Sequence, residues 1–272
     1  MTGPSTLKRF SCALLLPLLG MAVFACAGKT PPVVLSAQDG YTEAHALYEA
    51  GKWEKARLAF EQVVFNHPGS ALVDSAQYFL GMCYFKMEDP ILAAAEFQRV
   101  RTQYPASPLV DDADIMRCRS LLLSSPSHTG LDQEPTREAV NELRLFQDNH
   151  PFSEFLPAAD SLLKVAYGRL STKDFKTGVL YQKLGRYEAA RVYLQEMIDR
   201  YPESPLVPDA LYRLGEGQRR QDSLASAIEY YEKLIYTFPD HERTGDARKR
   251  VARLARQRAV EAADSSADTS GE

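Results

Sequence analysis

Small and large apolar residues recur along this chain at fixed distances from five prolines: Pro68, Pro105, Pro151, Pro202 and Pro239. An alanine stands twelve residues before each proline: Ala56, Ala93, Ala139, Ala190 and Ala227. A large apolar residue stands eight before: Phe60, Phe97, Leu143, Leu194 and Tyr231. Another alanine stands eight residues after each proline: Ala76, Ala113, Ala159, Ala210 and Ala247. Small residues let helices approach closely and proline ends a helix, so the pattern predicts five helix-turn-helix units, numbered 1 to 5 by their closing prolines.

The prolines lie 37, 46, 51 and 37 residues apart, so units 3 and 4 carry insertions. Residues 124–135 have loop composition and predict a surface excursion between the helices of unit 3. Within residues 154–184 the apolar residues keep helical spacing, which predicts an unusually long first helix in unit 4. Four serines stand two residues after a proline, where each is predicted to cap the next helix: Ser70, Ser107, Ser153 and Ser204.

Glycine and aromatic residues complete the repeat. Gly51 and Gly185 stand seventeen residues before their prolines, where a glycine past a helix C-terminus can adopt a positive φ, and Trp53 and Tyr187 follow two residues later. This order of glycine, aromatic, alanine, large apolar residue and proline resembles the tetratricopeptide (TPR) repeat, whose period is about 34 residues. The resemblance implies an all-α fold, a TPR-type helix-turn-helix solenoid of about five repeats in which each unit contacts only its neighbours.

Residues 1–25 are predicted to be a lipoprotein signal peptide outside the solenoid. Lys8 and Arg9 precede an apolar run, residues 10–24, that is too short for a comfortable transmembrane helix. Residues 23–26, Val-Phe-Ala-Cys, resemble the bacterial lipobox, which implies that Cys26 is acylated and that several acyl chains anchor the protein durably. Ala27 after this cysteine then implies transfer to the outer membrane. The alternative is that Cys26 is incidental in an ordinary signal region.

The remaining chain divides into three predicted parts. Residues 26–38 contain paired prolines and predict an extended, lipid-proximal linker. Residues 39–256 are predicted to form the solenoid, ended by a basic capping helix over residues 246–256. The alternative role of that helix is to dock an acidic partner or anionic lipid headgroups. Residues 257–272 are predicted to be a disordered acidic tail, because the chain's end lacks apolar periodicity.

Charge and cysteine content narrow the possible partners. The chain has 32 basic and 36 acidic residues, and removal of the signal would delete Lys8, Arg9 and no acid, so nucleic acid is disfavoured as a partner.

Cys83 and Cys118 lie on the first helices of consecutive units. They are predicted to be buried free thiols, because Cys118 occupies a small-residue position of the repeat, and a disulfide between them is the alternative.

The sequence gives little support for a catalytic or metal-binding site. His67 and His150 each precede a closing proline, in a position that Tyr104, Tyr201 and Phe238 occupy in the other units, so they are read as packing residues. His-x-x-x-His, Cys-x-x-Cys and nucleophile-elbow patterns are all absent from the sequence. We therefore predict a protein that is not an enzyme and that uses no cofactor or metal.

The TPR resemblance also indicates which positions face the concave groove. In each unit these are three positions on the first helix: Tyr41, His45 and Tyr48 in unit 1, Tyr78, Met82 and Phe85 in unit 2, and Ile115, Arg119 and Leu122 in unit 3. A groove lined by such side chains suits an extended peptide with alternating aromatic or apolar residues, because rigid aromatics supply contact area at low entropic cost. The alternative is that several of these side chains belong to the ordinary core between units.

The lipobox, the five units, their proline-x-serine punctuation and the long helix of unit 4 together resemble the BamD family, the lipoprotein subunits of the β-barrel assembly machinery. Residues 47–53, 112–118 and 181–187 carry this resemblance most clearly. It implies a non-enzymatic subunit at the periplasmic face of the outer membrane. Its partners would be the POTRA domains of BamA, docked on the later units, and other lipoproteins of that machinery. The earlier units would receive the C-terminal strands of unfolded barrel precursors.

Two other classes stay open. The chain also shares its punctuation with the periplasmic TPR proteins of the Tol-Pal system, the CpoB or YbgF family, which are soluble and begin with a coiled coil. The lipobox here leads almost directly into repeats, which favours the BamD family. The other class is an unrelated TPR lipoprotein that scaffolds an envelope enzyme.

Overall fold

The computed structural model describes the backbone of residues 35–268 and the side chains of residues 35–260. The predicted signal peptide, Cys26 and residues 26–34 of the predicted linker lie outside the described residues. The described part contains eleven α-helices in chain order: α1 (Ala37–Glu49), α2 (Trp53–Asn66), α3 (Val73–Lys86), α4 (Pro90–Gln103), α5 (Val110–Ser124), α6 (Glu134–Asn149), α7 (Leu156–Lys183), α8 (Tyr187–Arg200), α9 (Val207–Arg220), α10 (Leu224–Thr237) and α11 (Thr244–Asp268).

Successive helix pairs form the five units, from α1 and α2 in unit 1 to α9 and α10 in unit 5, and α11 follows them. Each helix packs on the next one along the chain, and contacts between helices two apart are sparse. All ten alanines of the repeat pattern are fully buried, and so are the five large apolar residues that stand eight before the prolines. The predicted all-α, TPR-type solenoid is therefore confirmed, and its core is a stripe of repeat residues.

Glycine on the first helix and a large side chain on the second make the closest approach within a unit. A Cβ added to Gly81 would lie 2.9 Å from the ring of Phe97, and one added to Gly178 would lie 2.6 Å from Cγ of Leu194. Unit 5 repeats this contact between Gly215 and Tyr231. These glycines are present because the helix pair has no room for a methyl group.

Gly178→Ala is expected to lower the free energy of unfolding by about 1–3 kcal/mol, because the new methyl group must push α7 and α8 apart. Gly168→Ala on the same helix is the matched control, since a Cβ there meets nothing within 4 Å. It should raise stability by about 0.5–1 kcal/mol through helix propensity alone. Urea unfolding of both variants measures the difference, and equal effects at the two sites would contradict this packing account.

Helix α7 is long because it completes two packing layers. Its first half shares a core with α5 and α6, which includes Ala159, Leu163 and Ala166, and its second half carries Gly178 against α8. The 28-residue helix confirms the long first helix predicted for unit 4.

The insertions in units 3 and 4 contact one another. Basic side chains of α7 donate to backbone or hydroxyl oxygens at the end of α5 and in the following loop. Arg169 bonds the carbonyl of Leu122, and Lys173 Nζ lies 2.9 Å from the carbonyl oxygen of Leu131. The loop between α5 and α6 is exposed at its tip, as predicted, but its last residue, Gln133, is buried. The long helix thus holds the loop in place.

The repeated serines do not cap helices in the predicted way. Each hydroxyl accepts from the backbone N–H two residues later, which belongs to the residue before the helix, as between Ser107 and Leu109 at 3.2 Å. The same hydroxyl of Ser107 donates to Asp74 at 2.6 Å, on the first helix of the preceding unit. Ser153 and Asp111 repeat this contact at 2.7 Å. These serines therefore tighten the turn and link successive units.

The C-terminal helix is longer than the predicted cap. We expected helix over residues 246–256 and a disordered tail over 257–272, whereas α11 runs from Thr244 to Asp268. No glycine or proline interrupts residues 246–268, and alanine is frequent there, so helix propensity carries the element past Leu254, the last buried residue within 35–260. At the other end, α1 begins at Ala37, two residues before the predicted start of the solenoid.

A partly buried ionic network joins α4, α5 and α6. Arg101 Nη1 lies 2.6 Å from Glu142 Oε2, and Arg117 Nη1 lies 3.2 Å from Glu142 Oε1. Burial alone would raise the pKa of Glu142, but the two guanidinium groups outweigh it, so this pKa lies below its usual range. The carboxylate of Glu142 therefore stabilises the fold in its charged form.

Glu142→Gln is expected to cost about 1–2 kcal/mol at neutral pH, since it leaves Arg101 with only Asp114, and Arg117 with only Glu138, as a charged partner. A lowered folded pKa gives stability that is present above the unfolded pKa of about 4.3 and is lost as the pH falls through the folded value. The difference between wild type and variant should consequently shrink as the pH falls below about 4. Glu203→Gln, at an exposed turn, is the control, and a pH-independent difference for Glu142→Gln would refute the assignment.

Candidate functional site

Five aromatic rings from α1, α2 and α3 surround the ring of Phe79. Ring centroids of His45, Tyr48 and Tyr78 lie 4.9, 5.2 and 5.6 Å from that of Phe79. Tyr41 and Phe60 complete this set at 6.4 and 5.6 Å. We call these residues the aromatic cluster: Tyr41, His45, Tyr48, Phe60, Tyr78 and Phe79. Edge-on and stacked contacts of this kind hold the rings in fixed orientations.

Phe79, the centre of the cluster, was missed by the sequence analysis. The groove register selects Tyr78 and passes over its neighbour, whereas Phe79 points between α1, α2 and α3 and touches rings from each. The signal available in the sequence was the adjacent pair of aromatic residues at 78 and 79. Phe79 packs against the partly exposed rings of Tyr41, His45 and Tyr78 and so fixes their positions.

Five of the predicted groove residues in units 1 and 2 keep part of their surface: Tyr41, His45, Tyr78, Met82 and Phe85. Tyr48 does not, because it is only 9% exposed and packs on the ring of Trp53 at 5.0 Å. For Tyr48, burial favours the alternative that it is a core residue between units rather than part of the groove surface. The other five form a continuous register along α1 and α3, with an aromatic or apolar side chain at four positions and an imidazole at the fifth.

Unit 3 departs from the predicted groove. Ile115 and Leu122 are 3% and 4% exposed and belong to the core that α7 completes, so their side chains are closed to a ligand. This corrects our expectation for both residues, and its cause is the long α7, which covers the inner face of α5. Arg119 remains exposed, with Nη1 3.9 Å from Sδ of Met116. The open aromatic surface therefore ends at unit 2, with Arg119 beyond it.

Tyr78 stands where the aromatic surface meets charge. Burial and the nearby carboxylate of Asp112 raise the pKa of Tyr78 to about 12, and the charge of Arg119 acts in the opposite direction. The hydroxyl therefore stays protonated at neutral pH and can donate a hydrogen bond. This combination of ring surface and a polar tip suits binding of an extended peptide.

Reactive groups near the cluster are masked by burial. Cys83 and Cys118 are free and buried, as predicted, and burial raises the pKa of each thiol to about 12, so neither is a nucleophile at neutral pH. Within residues 35–260, no three His, Cys, Asp or Glu side chains are grouped so that they could hold a metal ion.

Two clefts lie in later units, where the sequence analysis assigned no site. One, of about 380 Å³, lies between the second half of α7 and α9. The other, of about 850 Å³, lies between the first half of α7 and the end of α8, beside Leu163, Tyr167 and Tyr201. Among the described helices, none combines the length and the apolar character needed to cross a membrane.

Comparison with known proteins places these features in a family. The profile of the family described as "YfiO: Outer membrane lipoprotein" matches residues 35–223, and a tetratricopeptide-repeat profile matches residues 209–241. Proteins named "Outer membrane protein assembly factor BamD" are among the similar chains. The one from Caulobacter vibrioides is 24% identical over 73% of this chain and 67% of its own length. Those from Neisseria meningitidis serogroup B and Vibrio cholerae are 24% and 23% identical, over 83% and 82% of this chain and 91% and 96% of theirs.

Solved structures of TPR proteins are also similar to this chain. A thermophilic TPR protein of Thermus thermophilus is 16% identical, with a TM-score of 0.33 over 81% of this chain and 99% of its own. The TPR2AB domain of yeast Sti1 is 15% identical, with a TM-score of 0.41 over 86% and 87% of the two chains.

Proposed function

Because this chain belongs to the YfiO family of outer membrane lipoproteins, we propose that it is a non-enzymatic assembly factor for outer membrane proteins. It acts at the periplasmic face of the outer membrane, held there by acyl chains on Cys26. The names of its relatives support the assembly role, and the lipobox at residues 23–26 supports the anchor. Two acyl signals or more are needed for durable anchoring, which lipoprotein acylation supplies.

The aromatic surface of units 1 and 2 is the proposed binding site for unfolded barrel precursors. Strands of outer membrane barrels alternate apolar and polar residues and carry aromatic girdles, so an extended strand presents apolar and aromatic side chains on one side. Tyr41, His45, Tyr78, Met82 and Phe85 offer partly exposed side chains in one register, which is the observation that carries this proposal. Phe79 already orders the rings of Tyr41, His45 and Tyr78, so binding to these three costs little side-chain entropy.

The later units are proposed to dock on the POTRA domains of BamA, beside other lipoproteins of the same machinery. Support for this part comes from the resemblance to the BamD family. Precursor binding and docking can use different units of the stack, since units of a solenoid contact only their neighbours and can carry separate surfaces.

Affinity purification from the native host tests the proposed function. The tagged, lipidated protein is extracted in mild detergent, and mass spectrometry identifies what accompanies it. We expect a stoichiometric barrel protein that bears POTRA domains. Recovery of Tol-Pal components in its place, or of no barrel protein, would reject the assembly role and favour the other TPR classes.

A further inference from the structure

The cleft between the second half of α7 and α9 is rich in positive charge. Its lining includes four basic residues, Lys183, Arg213, Arg220 and Arg243, and two acidic ones, Asp209 and Glu216. We call it the cationic cleft. Its charge contrasts with that of the whole chain, which carries a formal net charge of −4. A local excess of cations on an acidic protein points to a specific anionic ligand.

The two carboxylates of the cleft are already paired. Asp209 Oδ1 lies 3.0 Å from Nε of Arg243, and Glu216 accepts from Tyr231 at 2.7 Å and from Arg219 at 2.9 Å. Burial would raise the pKa of Glu216, but these hydrogen bonds lower it below the usual range. Neither carboxylate is therefore free to neutralise the remaining cations.

Three of the four cations form no ion pair within the described part of the chain. Among the residues that the structure describes, Lys183, Arg213 and Arg220 have no acidic group within ion-pair distance. Arg213 is held in place by stacking over Phe175, with Cζ 5.5 Å from the ring centroid, and Arg220 donates to the hydroxyl of Tyr187 at 3.2 Å. Guanidinium groups held by neutral partners keep their charge and their fork of donors available for a carboxylate.

Backbone geometry keeps the cleft open. Gly217 lines it without a side chain, and a Cβ added there would lie 3.2 Å from Nε2 of Gln182. That amide donates to the carbonyl of Arg213 at 2.7 Å and ties α7 to α9 across the cleft. The basic side chains are consequently carried by two helices whose separation is set.

The repeat register relates this cleft to the aromatic surface. Tyr212 stands ten residues and Glu216 fourteen residues after Pro202, the positions that Tyr78 and Met82 hold after Pro68. Gln182 stands twenty residues before Pro202, as Phe85 does before Pro105. The groove register of units 4 and 5 therefore contributes Tyr212, Glu216 and Gln182 to the cleft, and the basic side chains come from other positions of the same helices, Lys183, Arg213 and Arg220.

We propose that the cationic cleft binds an extended acidic segment of a partner protein through Arg213, Arg220 and Lys183. A peptide fits better than a phosphate group, because Asp209 and Glu216 would repel a dianion, whereas single carboxylates spaced along a strand can avoid them. The rings of Tyr187 and Tyr212 supply apolar contact for the peptide backbone and side chains. This site adds to the proposed function without depending on it, since binding is measured on the purified chain alone.

The test compares affinities for a fluorescent glutamate-rich peptide and its glutamine counterpart, using the full chain in detergent. We expect the glutamate peptide to bind more tightly and its affinity to fall with added salt. The variant Arg213→Gln with Arg220→Gln should lose about tenfold or more in affinity, because two charge-assisted contacts are removed. Replacement of both by lysine should restore part of the binding, since the charge returns without the fork of donors.

The control removes the same net charge elsewhere. Arg248→Gln with Arg253→Gln neutralises two exposed residues of α11 and should leave peptide affinity unchanged. Equal losses in the two double variants, or equal affinity for the two peptides, would overturn the proposal. Displacement by glycerol phosphate, with no preference for the glutamate peptide, would assign the cleft to lipid headgroups and overturn it as well. If a barrel partner co-purifies but any one of these three binding results is found, this inference is rejected and the proposed function is retained.

Discussion

Replacing Tyr78 and Phe85 together by alanine should weaken the binding of a peptide from the C-terminal strand of an outer membrane barrel by about tenfold or more. Both side chains keep part of their surface and lie on one face of α3. Loss of two aromatic contact surfaces removes apolar area worth well over the 1.4 kcal/mol that a tenfold change requires. Fluorescence anisotropy with a labelled peptide and the full chain measures the effect.

A matched control separates this effect from a general loss of aromatic surface. Phe65→Ala with Tyr236→Ala removes the same two residue types from α2 and α10, where both side chains are 83% exposed. This variant should bind the peptide as the wild type does. If both double variants bind equally well, the aromatic surface of units 1 and 2 is not the precursor site. Circular dichroism and urea unfolding confirm that each variant is folded before its affinity is interpreted.

Phe97→Ala is expected to lower the free energy of unfolding by about 3–5 kcal/mol, which is the largest stability change that we predict. Phe97 is fully buried, and its ring lies against Gly81 and 5.5 Å from the ring of Tyr78. Because Gly81 has no side chain, α3 offers nothing to fill the space that the ring leaves. Urea unfolding followed by circular dichroism measures the change.

Phe152→Ala is the control for this second prediction, since Phe152 is 98% exposed in the turn before α7. Its replacement should leave stability within about 0.5 kcal/mol of the wild type. Phe97→Ala should also weaken peptide binding, because Tyr78 loses a ring that supports it. A loss of less than about 1 kcal/mol in Phe97→Ala would show that α3 and α4 collapse into the space and would contradict the rigid fit.

Interactions within one unit were predictable from sequence because they follow helical periodicity. Ala56 and Phe60 lie one helical turn apart, and both are fully buried where the spacing placed them. The burial of Cys118 followed in the same way from its place in the repeat. The exposed face of α3, with Tyr78, Met82 and Phe85, also follows from this register, and so the predicted groove residues of unit 2 keep part of their surface.

The groove in unit 3 was not predictable in this way. Ile115 and Leu122 have the same register as Tyr78 and Phe85, yet both are buried, because α7 is long enough to lie over α5. Periodicity indicated the length of α7 but not where its first half packs. Phe79 was missed for a related reason, since its contacts come from α1 and α2 as well as from its own helix.

By itself, the sequence determined the helix pairs, their order and the residues at their cores, because each of these depends on spacing within one repeat unit. Tertiary structure decided which parts of the concave face stay open, which ring orders the aromatic cluster and where three cations without an ion-pair partner among the described residues line one cleft between α7 and α9. Those outcomes depend on how far one helix extends over another and on which charges find partners. Both are properties of packed side chains from separate units, and a repeat pattern does not encode them.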